Sequence, residues 1–229
     1  MEKTIVFDTG SIISLTSNNL LWTLEPLKKR FGGVFCITRH SKKELFDKPL
    51  ETKKFEFEAL QIIPLLKTEV LSIAREERIY ELAKKLYEYA NNLVYSGEKP
   101  VQIVSIADVE GLAATIILEA QAFVVDERTA RLLVEDIYEI KTIMEKKLRV
   151  ELTVNNDKAR ELKRLLKNVK IIRSFELVIV AYKLKLLDKF LPNIPNARKV
   201  LLDAILWGVK LDGCAVSEKE IRQAIKSEI

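Results

Sequence analysis

Four acidic residues stand where carboxylates could act together. Asp8 closes the apolar segment Thr4–Phe7, and Asp126 closes the apolar segment Ala122–Val125. Glu44 falls in the helical stretch after a second apolar segment, and Asp108 lies in the first turn of the helix that precedes Asp126. Each has an ordinary structural explanation. Asp8 and Asp126 can cap the helices that follow them, Ser105 and Asp108 have the spacing of a capping box, and Glu44 can be a solvated helix residue. Jointly they suggest more. In parallel α/β sheets the working crevice lies beyond the carboxyl ends of the strands. Four acids arriving there would repel one another unless a cation neutralised them. An all-oxygen donor set suits Mg²⁺ or Mn²⁺ better than softer metals.

The elements needed to position these acids are legible as changes of period. Thr4–Phe7, Val34–Thr38, Ala122–Val125 and Val169–Ile172 read as strands, with further extended segments at Val101–Val104 and Arg149–Val154. Helical spacing runs from Ser11 to Arg30, from His40 or Ser41 to just before Pro49, and over Lys53–Leu66 and Thr68–Val94. It resumes over Ser105–Gln121, Thr129–Lys147, Lys158–Leu166, Phe175–Phe190, Asn196–Lys210 and Ser217–Glu228. Strands alternating with helices predict an α/β fold of three α/β/α layers around a central, mainly parallel sheet with extra helices. Absent any repeat or flexible linker, residues 1–229 read as one domain with an inserted segment around 130–167.

Composition agrees with that class. Hydrophobic residues make up 48% of the 229, enough for a packed core, whereas 7 Gly and 6 Pro are too few for a turn-rich all-β fold. Abundant Lys and Glu with little Met or Cys follow the compositional trend of thermophile proteins. The net charge of +5 is compatible with a polyanionic partner but is spread over mixed-sign helix faces. Cys36 and Cys214 lack metal-ligand spacing, and two distant cysteines fit a reducing cytoplasm better than a disulfide framework. No leader pattern and no run of about 18 apolar residues points to export or a membrane.

Four blocks, in this order, resemble the PIN-domain family in an archaeal-type form: Ile5–Leu15 around Asp8, Ile37–Leu45 around Glu44, Ser105–Ala113 around Asp108 and Val124–Ala130 around Asp126. Ile171–Leu177 is similar to that family's last strand and helix. Residues 50–100 are long for a small member, and Glu127 stands where Asp or Asn is often found. The resemblance implies a metal-dependent nuclease that hydrolyses phosphodiester bonds, in RNA more than in DNA. Asp8, Glu44, Asp108 and Asp126 would be the catalytic metal-binding set. Glu110 and Glu127 lie close enough in sequence to join as ligands or to face solvent, and Thr9, Ser11 and Ser174 could orient the ligands from behind.

Other signals are weaker. Asp8-Thr9-Gly10 matches the core of the aspartic-protease motif, but that chemistry needs a second such Asp and none exists. A haloacid-dehalogenase phosphatase needs an Asp two positions after the first, where Gly10 stands. Gly32-Gly33 lacks the rest of a phosphate loop. His40, the sole histidine, can share a helix face with Glu44 but is more ordinarily an exposed or capping residue. Two rivals to the nuclease remain at this level: an inactive nucleic-acid-binding scaffold, and an interaction module, homo-oligomeric or with a protein partner.

Overall fold

The structure, a computed structural model, describes residues 2–228. In chain order it begins with β1 (Thr4–Phe7), α1 (Thr9–Ser17), a 3-10 turn (Leu21–Thr23), α2 (Leu24–Phe31) and β2 (Val34–Ile37). Next come α3 (Arg39–Lys42), a π-helical turn (Lys43–Asp47), α4 (Lys48–Thr52), α5 (Glu56–Lys67), β3 (Ser72–Ile73), α6 (Glu77–Asn91), β4 (Val94–Ser96) and β5 (Lys99–Pro100). The second half comprises α7 (Ile106–Ile117), β6 (Ala122–Val124), α8 (Arg128–Glu135), α9 (Ile137–Leu148), β7 (Thr153–Val154) and α10 (Asn156–Leu166). It ends with β8 (Ile171–Ile172), α11 (Ser174–Lys183), a 3-10 turn (Asp188–Phe190), α12 (Ala197–Leu211) and α13 (Glu218–Glu228).

The central sheet is parallel throughout, in the order β3-β2-β1-β6-β8. Its short strands are apolar at nearly every position because helices cover both faces. Ile5, Phe7, Phe35, Ile37 and Val124 face a core built with α1, α2, α5, α11, α12 and α13. Val6, Cys36, Phe123 and Val125 face the opposite core, with α6 to α10. The expected three-layer α/β/α arrangement is therefore present. Strand alternation divides the chain's apolar side chains between the two outer layers.

The registers Phe7↔Ile37 and Phe7↔Val124 align the carboxyl ends of the three central strands. The chain fills the sheet outward from β1 to β3, then jumps back to lay β6 and β8 on the other side of β1. The topological switch thus lies between β1 and β6, where adjacent connections diverge and leave a crevice. Gly111 lets α7 approach that region closely, since a Cβ there would stand 2.3 Å from Phe123 Cζ.

Several boundaries differ from the sequence expectations. The Ser11–Arg30 helix is interrupted at Asn19, whose φ of 55° turns the chain before the 3-10 turn. The Thr68–Val94 helix shortens to α6, because Ser72–Ile73 pairs with β2 as an edge strand and Val94 opens a hairpin. The helix carrying Glu44 does not stop before Pro49. A π-helical turn shifts the hydrogen-bond register, and Pro49 sits in the first turn of α4, where its missing N–H is tolerated. Gly97-Glu98 is the tip of the β4–β5 hairpin, with Gly97 at φ 60°. Val101–Val104 is irregular, and the N–H groups of Ile103 and Val104 donate to the Asn91 side chain. Asp136 breaks the Thr129–Lys147 helix by capping α9, and a 3-10 turn replaces the end of Phe175–Phe190. The segment 130–167, expected as an insertion, supplies most of α8, all of α9 and α10, and β7, which pairs with β4.

Candidate active site at the carboxyl edge of the sheet

Asp8 sits at the crevice because β1 hands directly into α1. Its backbone N–H donates to Val124 O at 2.9 Å, extending the β1–β6 ladder by one residue, and its carboxylate caps α1 by accepting from Gly10 N at 3.0 Å. Ser11 Oγ donates to Asp8 O at 2.8 Å and lies 3.2 Å from Val124 O. Expected as a group that orients a carboxylate, Ser11 instead fastens two strand ends together.

Glu44 reaches the crevice from the π-helical turn, and its Oε2 accepts from Thr9 Oγ1 at 2.7 Å. Asp108 occupies the third position of α7 in a capping box: Ser105 N donates to its Oδ2 at 2.6 Å and its own N–H donates to Ser105 Oγ at 3.3 Å. Burial raises the Asp8 carboxyl to about 7, and the neighbouring Asp108 and Glu44 charges add to the rise, while backbone N–H groups oppose it. Three of the four sequence candidates are thus electrostatic neighbours. The structure brings them there from three separate elements.

Asp126 lies two residues past β6 and is only 3% exposed. Ser174 holds both of its oxygens, the N–H on Oδ1 at 2.8 Å and the hydroxyl on Oδ2 at 2.6 Å, at the amino end of α11. The Asp126 main-chain carbonyl accepts from Ala215 N at 3.1 Å, which fastens the segment before α13 to this strand end. Cys214 lies against the same carboxylate, and burial together with that charge pushes its thiol up to about 12.

Glu110 and Glu127 play other parts. Glu110 does not face solvent: it is 3% exposed, and its Oε2 accepts from His40 N at 3.0 Å. His40 Nδ1 stands 3.0 Å from the same oxygen, off the line of a hydrogen bond. Residues 108 and 110 are two apart on α7, so their side chains leave the helix in different directions. Glu127 caps α8 through Ala130 N at 2.6 Å.

None of Asp8, Glu44, Asp108 or Asp126 forms an ion pair with Lys, Arg or His among the described residues. Among those residues, too, no three His, Cys, Asp or Glu side chains stand together in an arrangement that could hold a metal ion. The chemistry of the candidate residues suits a hard divalent cation, since all four are carboxylates. The hydrogen bonds to Gly10, Thr9, Ser105 and Ser174 occupy part of each carboxylate's accepting capacity.

Beside this cluster lies a recess of 260 Å³ lined by Thr9, Glu44, Lys48, Lys54 and Phe55 among others. Phe55 is 46% exposed in a left-handed conformation, φ 62°, with Lys54 Nζ 5.2 Å from its ring centroid. Sequence reasoning missed these residues. The signal available was Phe55 and Phe57 beside Lys53 and Lys54, two aromatics whose spacing puts them on different faces of a helix. No helix of the described residues is long and apolar enough to cross a membrane. No protein-family model, curated protein or solved structure matches this chain.

Proposed function

We propose that this protein is a metal-dependent nuclease of the PIN-like kind, acting on RNA more than on DNA, in the cytoplasm. The observation that carries the reading is the convergence of Asp8, Glu44 and Asp108, none of them ion-paired among the described residues, beside the switch point between β1 and β6. Asp8, Glu44 and Asp108, with Asp126 on the next strand, would hold Mg²⁺ or Mn²⁺. When bound, the ion supplies charge neutralisation at a scissile phosphate and lowers the pKa of water. The chain's own residues do the positioning. Thr9 holds the Glu44 carboxylate, Ser174 holds Asp126, and the β1–β6 ladder fixes the spacing of Asp8 to its neighbours. Lys48 and Lys54 offer cations to a phosphate backbone next to the acids, and the exposed face of Phe55 offers a stacking surface for a base.

The test is cleavage of labelled single-stranded RNA and DNA with Mg²⁺, Mn²⁺ or Ca²⁺. Wild type is expected to cleave, with Asp8→Asn and Asp126→Asn losing at least about 100-fold in rate, as expected when charge-stabilising groups are removed. Phe55→Ala and the pair Lys48→Glu/Lys54→Glu are expected to raise KM more than they lower kcat. Cleavage that survives Asp8→Asn would overturn the mechanism.

A second reading is favoured by one observation: among the described residues no three acids stand at ligand spacing. On that reading the chain is a nucleic-acid-binding scaffold without turnover. It predicts salt-dependent oligonucleotide binding that Lys48→Glu/Lys54→Glu weakens, and no cleavage with any divalent ion.

A further inference from the structure

We infer that the outward face of α12 is the seam of a homodimer in which the two copies of this helix lie antiparallel. On its inner face α12 buries Leu201, Leu202, Leu206 and Val209 in the chain's own core. Its outer face carries an apolar stripe between charged residues. Val200 is 43% and Leu211 77% exposed, Ala204 is exposed, and Trp207 is half-buried. An apolar stripe left exposed on a helix whose opposite face is already buried marks an interaction surface. Residues 200, 204, 207 and 211 follow the alternating four-three-four spacing of a coiled-coil seam, so they form one stripe.

The stripe complements a second copy of itself. Antiparallel packing that sets Ala204 against the partner's Trp207 places a small residue opposite a large one. The same register sets Val200 against the partner's Leu211. It also brings Asp203 opposite the partner's Lys210, and twofold symmetry repeats each contact. Asp203 is exposed and has no hydrogen bond or ion pair among the described residues. Lys210 donates to Val216 O at 2.7 Å, which holds its ammonium beside the stripe with further protons to give. A parallel pairing would set these two charges against the stripe's other flank. That flank is Leu201, buried in the chain's core, and Gly208, where a Cβ would stand 2.2 Å from Asn18 Oδ1. Charge complementarity therefore selects the antiparallel pair. One helix face is less than the roughly 800 Å² per partner of a standard interface, so the dissociation constant is expected in the micromolar range.

Sedimentation and light scattering of the full chain across about 1–200 μM test this, spanning the affinity expected for so small an interface. A monomer–dimer equilibrium is expected. Ala204→Glu and Leu211→Glu, both at exposed positions, should give monomers with unchanged circular dichroism. Asp203→Lys should weaken the dimer about tenfold by facing two lysines, and Asp203→Lys/Lys210→Asp should recover it. Under mild oxidation the double variant Val200→Cys/Leu211→Cys should cross-link between copies, whereas Leu211→Cys alone should not. A monomer at all concentrations, a dimer indifferent to Ala204→Glu, failure of the charge swap to recover association, or cross-linking through Leu211→Cys alone would each overturn the proposal.

Discussion

Replacing Asp8 with Asn should make the metal-free protein more stable at neutral pH, and the gain should vanish in acid. Burial and the Asp108 and Glu44 charges hold the Asp8 carboxyl at about 7 instead of 3.8. Between those values the folded chain binds more protons than the unfolded chain, so stability falls as pH rises from about 4 to about 7. Above that window the full cost of the ionised carboxylate is present. A shift from 3.8 to about 7 at 1.36 kcal/mol per pH unit corresponds to an upper value of about 4 kcal/mol. Asp8 keeps some contact with solvent at the crevice, so about 1–4 kcal/mol is the range to expect. Asn carries no charge and can still accept from Gly10 N through its amide oxygen. The assay is thermal or guanidinium unfolding of both proteins in chelator at pH 4 and pH 8. For a chain of this size the gap at pH 8 corresponds to roughly 2–16 °C in Tm. At pH 4 the two should coincide within about 0.5 kcal/mol, as for a substitution that changes no charge. Added Mg²⁺ should close the gap by stabilising wild type alone, because an ion that binds only the native state shifts unfolding by mass action. A gap of equal size at both pH values, or a wild type that is the more stable at pH 8, would refute the electrostatic origin.

Ser174→Ala removes the hydroxyl that donates to Asp126 Oδ2 at 2.6 Å and leaves a buried carboxylate oxygen short of a donor. A loss of about 1–3 kcal/mol in unfolding free energy is expected, while Ser174→Thr, which keeps the hydroxyl, should recover part of it. Gly111→Ala drives a Cβ into the fully buried Phe123 ring and should cost about 1–3 kcal/mol by overpacking; a neutral result in a melting curve would mean that α7 or Phe123 shifts freely. Burial pushes Glu220 up, but hydrogen bonds from Ser217 and the Arg173 guanidinium outweigh it and bring its carboxyl to about 2. Its contribution is therefore complete above the ordinary value of 4.5 and lost as pH falls through about 2. Glu220→Gln should flatten that acid limb in a pH series of melting curves, and an unchanged limb would assign it to other carboxylates.

How much was legible in advance differs between elements. The strands β1, β2 and β6 were visible because parallel strands buried on both faces leave an apolar run that ends abruptly at a polar residue. The edge strand β3 was hidden, since two residues paired on one side carry no periodic signal, and the helical spacing around them is continuous. Pro49 misplaced a helix end because the π-helical turn that accommodates it leaves no mark in residue type. Ser174 could be associated with the acids through its place at the junction of a strand, β8, with the helix α11 that it opens. Lys54 and Phe55 could not, because their nearness to Glu44 depends on how the chain turns between α4 and α5, whereas Lys48 stands one helical turn after Glu44.

By itself the chain of residue types determined that apolar strands alternate with amphipathic helices and that acids terminate two of those strands. These are local properties, decided by side-chain period and by the turn chemistry of each junction. Tertiary structure alone decided which acids meet. It sets Asp108 from α7 and Glu44 from the π-helical turn beside Asp8 at the end of β1, although they lie far apart in the sequence. It also turned Glu110 into a partner of His40 and Asp126 into a partner of Ser174. Such pairings rest on the distances and directions of side chains from different elements, and those exist only once both sides of the sheet are packed.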